Sequence, residues 1–136
     1  MHFDHSLIGK SSPPQTFEVT LAAVRRFMEA TEDPALQSEE PLQYVPSTFP
    51  TTFRIRVPGL HLDPTTMQLL HGEQQYNYMR PLQIGEQVTC VARITAVRER
   101  HGKTGIMAFI ITETTGIDSQ QQLIYTAHST LIVRQK

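Results

Sequence analysis

The sequence holds a single cysteine, Cys90, so no disulfide can close within the chain, and no Cys/His cluster has the spacing of a zinc site. Lying between Thr89 and Val91 in a predicted strand, Cys90 reads as a buried, inert thiol. Charge of one sign is also lacking. The formal net charge is −1, which supplies no overall pull towards nucleic acid or an anionic membrane, so neither is expected as a partner. No apolar run approaches the roughly 18 residues that suggest a membrane span. The opening "MHFDHSLIGKSSPP" lacks the basic-then-apolar layout of a signal peptide. A cytoplasmic protein without metal or cofactor is the default expectation.

What is present points to one domain over residues 1–136, since domains run to roughly 100–200 residues. Hydrophobic residues at 39% and charged residues at 18% are ordinary for a globular chain that can bury a core. The prolines divide it unevenly. Residues 1–66 hold eight of the nine, and residues 67–136 hold only Pro81.

In the first part, "QTFEV" (15–19) predicts a short strand. Thr20 is placed to cap a helix in which Leu21, Val24, Phe27 and Met28 share a face, with Arg25, Arg26 and Glu29 turned outward. Pro34 disfavours helical geometry at Asp33, so the helix should stop near Thr31 or Glu32. "DPALQSEEPLQYVPSTFP" reads as an ordered loop. "TFRIRV" (52–57) alternates like a strand but is too short to decide between strand and helix.

The second part reads as long strands. "QLLHGEQQYNYM" is the first, and Pro81 and Gly85 mark the turn that ends it. "EQVTCVARITAVRER" places Val88, Cys90, Ala92, Ile94 and Ala96 on one face, and Thr89, Val91, Arg93, Thr95 and Arg98, with Val97, on the other. "HGK" (101–103) predicts a turn in which Gly102 takes a positive φ. "TGIMAFIITET" returns, "TGIDSQQQ" makes a looser connection, and "LIYTAHSTLIVR" closes an antiparallel meander. Such strands need a cover, and the amphipathic helix supplies one. The expected fold class is α+β, a long antiparallel sheet wrapped around a helix.

That order of elements resembles the hot-dog fold, and more narrowly the N-terminal domain of MaoC-like dehydratases. The resemblance rests on "ATEDP", "PSTFP", "LLHGEQ", "RPLQIGE" and "RERHGKTG", spread over roughly residues 7–134. The most specific block is "LLHGEQQYNYMRPLQIGE". It implies a superfamily that handles acyl thioesters of coenzyme A or acyl carrier protein. The implied reaction removes water reversibly from a (3R)-3-hydroxyacyl group to give a trans-2-enoyl group. An active half carries an Asp-x-Asn-Pro-x-His motif after the first helix, where the pair orients water and relays protons. A backbone amide at a helix start polarises the thioester carbonyl.

This chain departs from that motif. "ATEDPALQSEEP" keeps Asp33 and Pro34, lacks the asparagine, and has Gln37 near the histidine's place. Glutamine can hold a water but cannot titrate near neutral pH. Asp33 and Gln37 are thus the candidate catalytic remnants, although an acid before proline also commonly closes a turn. The resemblance further implies a central helix starting around "STFP", for which Pro50 and Pro58 leave about two turns. His71 and Glu73, on one face by strand alternation, are candidates for substrate contact or a structural hydrogen-bonded pair. Arg80 joins them, with Arg93, Arg98, Arg100 and Lys103 making the sheet half basic enough to meet coenzyme A phosphates or an acidic carrier helix. His61, His101 and His128 have no metal-ligand spacing. Three functions follow: an accessory subunit that binds the acyl thioester and pairs with a catalytic MaoC-like chain; a stand-alone hydratase or thioesterase using Asp33 or Glu73; or a thioester-binding homodimer without catalysis. A homodimer or heterodimer is expected in every case, because an open sheet edge tends to be paired.

Overall fold

The computed structural model describes residues 3–103 and 105–136. After a 3-10 turn at His5–Leu7 come β1 (Gln15–Glu18), α1 (Leu21–Ala30), 3-10 turns at Pro34–Gln37 and Phe49–Thr52, and then four long strands. These are β2 (Met67–Tyr78), β3 (Gln87–Gly102), β4 (Gly105–Ile117) and β5 (Leu123–Gln135). They form one antiparallel sheet in the order β1-β3-β4-β5-β2. The α+β class and the curled sheet over a helix are as the sequence implies.

α1 begins where the hydroxyl of Thr20 accepts from the Ala23 N–H at 3.1 Å. It ends at Ala30, with Thr31 as C-cap and Glu32 at φ 54° reversing the chain before Pro34. Val24 and Met28 are fully buried and pack with Val19, Phe49, Leu82, Val88, Cys90, Ile124 and Tyr125. Leu21 is the exception on that face and stays exposed. α1 covers only one end of the sheet. At the other end, Ile94, Val97, Ala108, Ile110 and Val133 pack against Phe3, Leu7 and Val57.

Three β-bulges curl the sheet and correct the expected faces. The register slips between Ile94 and Ala96, which carries Val97 into the core at 3% exposure and leaves Ala96 only half-buried. A second slip lies at Gly72, between His71 and Glu73, and a third between Gly116 and Ile117. At the β3–β4 hairpin the ladder runs through to Gly102 opposite Gly105. The positive φ there, 111°, belongs to Gly105 and not to Gly102. Thr104, expected to open the returning strand, lies outside the described residues.

The expected central helix is replaced. After the 3-10 turn at Phe49–Thr52, the chain crosses the concave face as a strap with no regular structure until β2. Pro50, Pro58 and Pro64 break the run, and the β-branched Thr51, Thr52, Ile55 and Val57 disfavour a helix between them. Phe53, Ile55 and Val57 turn inward while Arg54 and Arg56 are exposed, so the alternation of "TFRIRV" is real but has no ladder partner. One sheet edge is partly covered, since residues 9–18 run along β3 through Gly9 N–H to Ile94 C=O, Ser12 N–H to Ala92 C=O, and the β1 ladder. The other edge is β2, twelve residues long and exposed over most of its length.

Candidate functional site

A groove of about 270 Å³ lies between the strap and the concave face of the sheet. Its apolar wall comes from Phe53, Ile55, Val57, Leu60 and Leu62. Its floor is more polar. Every second residue of each strand reaches it: Thr112 and Thr114 from β4, Ser129 from β5, and His71, Gln74 and Tyr76 from β2. Thr112 and Ser129 are cross-strand partners whose hydroxyls lie 2.6 Å apart, so each is satisfied within the floor. Among the described residues no aspartate or glutamate borders the groove.

Tyr76 and Tyr125 line the groove, and the Tyr78 ring packs against both. Tyr125 is 1% exposed, with its ring 5.9 Å from Tyr76 and 5.5 Å from Tyr78, and its hydroxyl 3.3 Å from Cys90 Sγ. The Tyr78 hydroxyl donates to the Ser47 carbonyl at 2.6 Å. Burial, with the Cys90 thiol adding to it, pushes the Tyr76 phenol up to about 12, and burial raises Tyr78 and Tyr125 as well. Burial also raises the Cys90 thiol, which the Tyr125 hydrogen bond opposes, so Cys90 is the inert core thiol expected. These raised phenols stabilise the fold in full below their ordinary value near 10, and that contribution is lost as pH rises through the folded value. The unfolding free energy from urea titrations is expected to fall between about pH 10 and 12. A constant value across that window would mean that the phenols are not held neutral by burial.

The FAS1-like, dehydratase domain region family matches residues 6–127. The chain belongs to that family. A UPF0336 protein of Streptomyces coelicolor is 30% identical over 117 residues, covering 75% of this chain and 78% of its own. In fold, the chain is similar to the truncated HadBC (3R-hydroxyacyl-ACP dehydratase) complex of Mycobacterium tuberculosis, with a TM-score of 0.65 at 21% identity, over 93% of this chain and 96% of that one. It is also similar to a MaoC-like dehydratase, with a TM-score of 0.68 at 18% identity, over 93% of this chain but 42% of that one. These likenesses show the hot-dog fold of MaoC-like dehydratases.

Within this dehydratase-family chain the expected site residues do not gather. The Asp33 carboxylate accepts from the Ala35 N–H at 2.9 Å and caps the 3-10 turn at Pro34–Gln37. Gln37 ends that turn and is exposed. Neither lines the groove. Strand alternation puts His71 and Glu73 on one face, but the bulge at Gly72 resets it. His71 therefore shares the groove with Gln74, while Glu73 is exposed outside its lining, and no hydrogen bond joins the two. Arg80 is committed elsewhere: it grips Glu86 through both terminal nitrogens at 3.0 and 2.7 Å and reaches Asp118 at 3.3 Å. Those contacts tie the end of β2 to the start of β3 and to the β4–β5 connection, and they hold the Arg80 guanidinium charged. Arg93, Arg98 and Arg100 point away from the groove, being out of phase with Ala92, Ile94 and Val97, and Arg100 lies 5.7 Å from the Phe109 ring.

A histidine–carboxylate pair among the described residues is His128 with Glu113, 3.3 Å apart and half-exposed. Cross-strand partners, they alternate with Ala127, Ser129, Thr112 and Thr114 and so face away from the groove. Among the described residues no cluster of three His, Cys, Asp or Glu could hold a metal, and no helix is long and apolar enough to cross a membrane. The groove residues that sequence reading missed are Gln74, Tyr76, Thr112, Ser129 and Tyr125. Only the Tyr-x-Tyr spacing of Tyr76 and Tyr78 hints at a shared face, because which residues meet depends on the register across three strands.

Proposed function

We propose that this chain is the accessory half of a (3R)-hydroxyacyl thioester dehydratase or enoyl thioester hydratase. As one cytoplasmic hot-dog unit it binds the acyl thioester in its groove and pairs along β2 with a catalytic MaoC-like chain. The observation that carries this reading is the groove's lining. Hydration adds water at C3 and a proton at C2, and both transfers need a titrating group within hydrogen-bond reach. No carboxylate lines this groove among the described residues, and His71, its one imidazole, has no carboxylate partner. Asp33, the surviving acid of the motif, is spent on capping a turn. His71 is the expected site residue that lines the groove, and there it contacts ligand without relaying protons.

Two further observations favour a half over a self-sufficient enzyme. β2 is a long open edge that exposes Leu69 and Leu70, a surface that soluble proteins normally cover. The similar HadBC dehydratase is described as a complex of subunits, and this chain spans 42% of the similar MaoC-like dehydratase.

The test is hydration of a crotonyl thioester by the purified chain mixed with a MaoC-like chain that carries an intact Asp-x-Asn-Pro-x-His motif. The mixture is expected to hydrate, and to do so more efficiently than the catalytic chain by itself. No gain from adding this chain would overturn the accessory role. Release of free thiol would instead establish the thioesterase reading, with Asp33 or Glu73 as the group to substitute.

A further inference from the structure

The register of the sheet sets one continuous polar row across the floor of the groove. Thr112 of β4 is the partner of Ser129 of β5, and Ser129 is the partner of Gln74 of β2. All three line the groove, in a line across three strands that lie roughly 4.8 Å apart. The neighbouring rows are broken by apolar residues. Towards the β3–β4 hairpin Ile110 lies beside Leu131, and on the other side Ala127 separates Thr114 from Tyr76. Opposite the floor, the strap presents Phe53, Ile55 and Leu62. The groove is therefore apolar on one side and hydrogen-bonding on the other. Each hydroxyl of the Thr112–Ser129 pair has its partner at 2.6 Å, yet the pair spends only one of its two O–H donors. The Gln74 carboxamide, which can both donate and accept, makes no hydrogen bond among the described residues. No buried side-chain nitrogen or oxygen among them lacks a partner, so the free capacity of this row stands open to solvent.

We propose that this row selects an acyl group bearing a hydroxyl or keto oxygen beyond its reacting C2–C3 pair. The selection builds on the reading above, in which the groove takes an acyl thioester and the partner supplies the proton-transfer groups. C2 and C3 then sit at those groups, and what lies in this groove is the remainder of the acyl chain. A saturated remainder suits the strap, where Phe53 and Ile55 give it apolar contact. Against the floor it displaces solvent from Gln74 and the hydroxyl pair and returns no hydrogen bond, which lowers affinity. An oxygen on the chain restores the bond. The Gln74 amide or the free O–H of the pair donates to a keto oxygen, and a chain hydroxyl also donates to the Gln74 side-chain oxygen. The row holds no cation, so a carboxylate on the chain would be buried without a charge partner, and the favoured oxygen is neutral. Sites that hydrogen-bond a ligand oxygen reject the analogue lacking it, because their own polar groups are then left unpaired.

The experiment titrates octanoyl coenzyme A and its keto and hydroxy analogues, with the oxygen at C5 or C7, into the full chain, alone and assembled with its MaoC-like partner. None of these saturated thioesters can be hydrated, so binding is read without turnover. At least one oxygenated thioester is expected to bind about tenfold or more tighter than octanoyl coenzyme A. Thr112→Val with Ser129→Ala removes both members of the hydroxyl pair together, and Gln74→Leu alters an exposed side chain, so the fold is expected to survive, with the urea midpoint as the check. The three substitutions combined are expected to abolish the preference and to strengthen octanoyl binding severalfold. Octanoyl coenzyme A bound as tightly as every oxygenated form would overturn the proposal and leave the accessory role standing. So would a preference that survives the triple variant, since other residues would then read the oxygen. Binding of neither kind of thioester would remove the acyl-binding reading, and the selectivity with it. A preference found without any partner-dependent hydration would uphold the selectivity and remove the accessory role alone.

Discussion

Replacing Tyr125 by alanine is expected to lower the unfolding free energy by about 3–5 kcal/mol, the range seen when a large buried aromatic is truncated. The ring fills the space where β4, β5 and the end of β2 meet. Gly116, its cross-strand neighbour, makes room for it: a Cβ there would collide with the Tyr125 ring, whose Cζ and Cδ1 atoms would lie 2.8 and 2.9 Å away. Tyr76 and Tyr78 flank the ring, so neither can swing into the vacancy without breaking its own contacts. Tyr125→Phe keeps the ring and removes only the hydrogen bond to Cys90, for a loss of about 1 kcal/mol. Urea denaturation with an unchanged slope separates the two. An alanine loss below about 1 kcal/mol would mean that the ring does not hold the three strands together.

Substituting both Leu69 and Leu70 by aspartate is expected to weaken assembly with the MaoC-like partner proposed above by about a hundredfold or more while barely moving the melting temperature of the free chain. Both leucines are already exposed in the isolated fold, at 36% and 44%, so the free chain has little burial to lose. They lie on opposite faces of an edge strand, opposite Val133 and Ile132 of β5. Pairing along β2 would cover both, at roughly 1.5 kcal/mol or more each, and aspartates there would also have to be desolvated. Sedimentation of the mixed chains measures the effect. Unchanged affinity would show that assembly uses another surface.

Much of the fold was legible in the sequence because its strands are long and its punctuation is sparse. β3, β4 and β5 follow the alternation of apolar residues, and α1 follows Thr20, the Val24–Met28 face and Pro34. The bulge in β3 was not legible, because in "ITAV" Thr95 and Ala96 suit either face and one extra residue leaves no mark in composition. The bulge in β2 did leave one. A lone glycine within a strand pattern suggests a bulge, and reading Gly72 so would have separated His71 from Glu73 beforehand. That glycine cannot be exchanged freely either, since an added Cβ would lie 2.9 Å from Ile132 Cδ1. Pro50 and Pro58 leave room for about two turns of the central helix that the resemblance implies; the structure goes further and has none there.

The candidate site was far less legible. Motif and neighbourhood in sequence single out Asp33, Gln37, His71, Glu73 and Arg80, and the fold disperses them over a turn, two faces of β2 and an arginine clamp. Arg80 shows why. Its partners Glu86 and Asp118 are six and thirty-eight residues away, and only the folded sheet brings the second within reach. The groove floor is likewise a product of register, assembled from β2, β4 and β5. That no carboxylate among the described residues lines it is a property of the assembled surface that no single stretch displays.

The initial rate of crotonyl thioester hydration by the isolated, purified chain bears most directly on whether the proton-transfer machinery belongs to another subunit. The rate is predicted to be indistinguishable from the uncatalysed background. Hydration well above background that disappears on Asp33→Asn or His71→Ala substitution would contradict the account, because the chain would then perform the chemistry with its own residues.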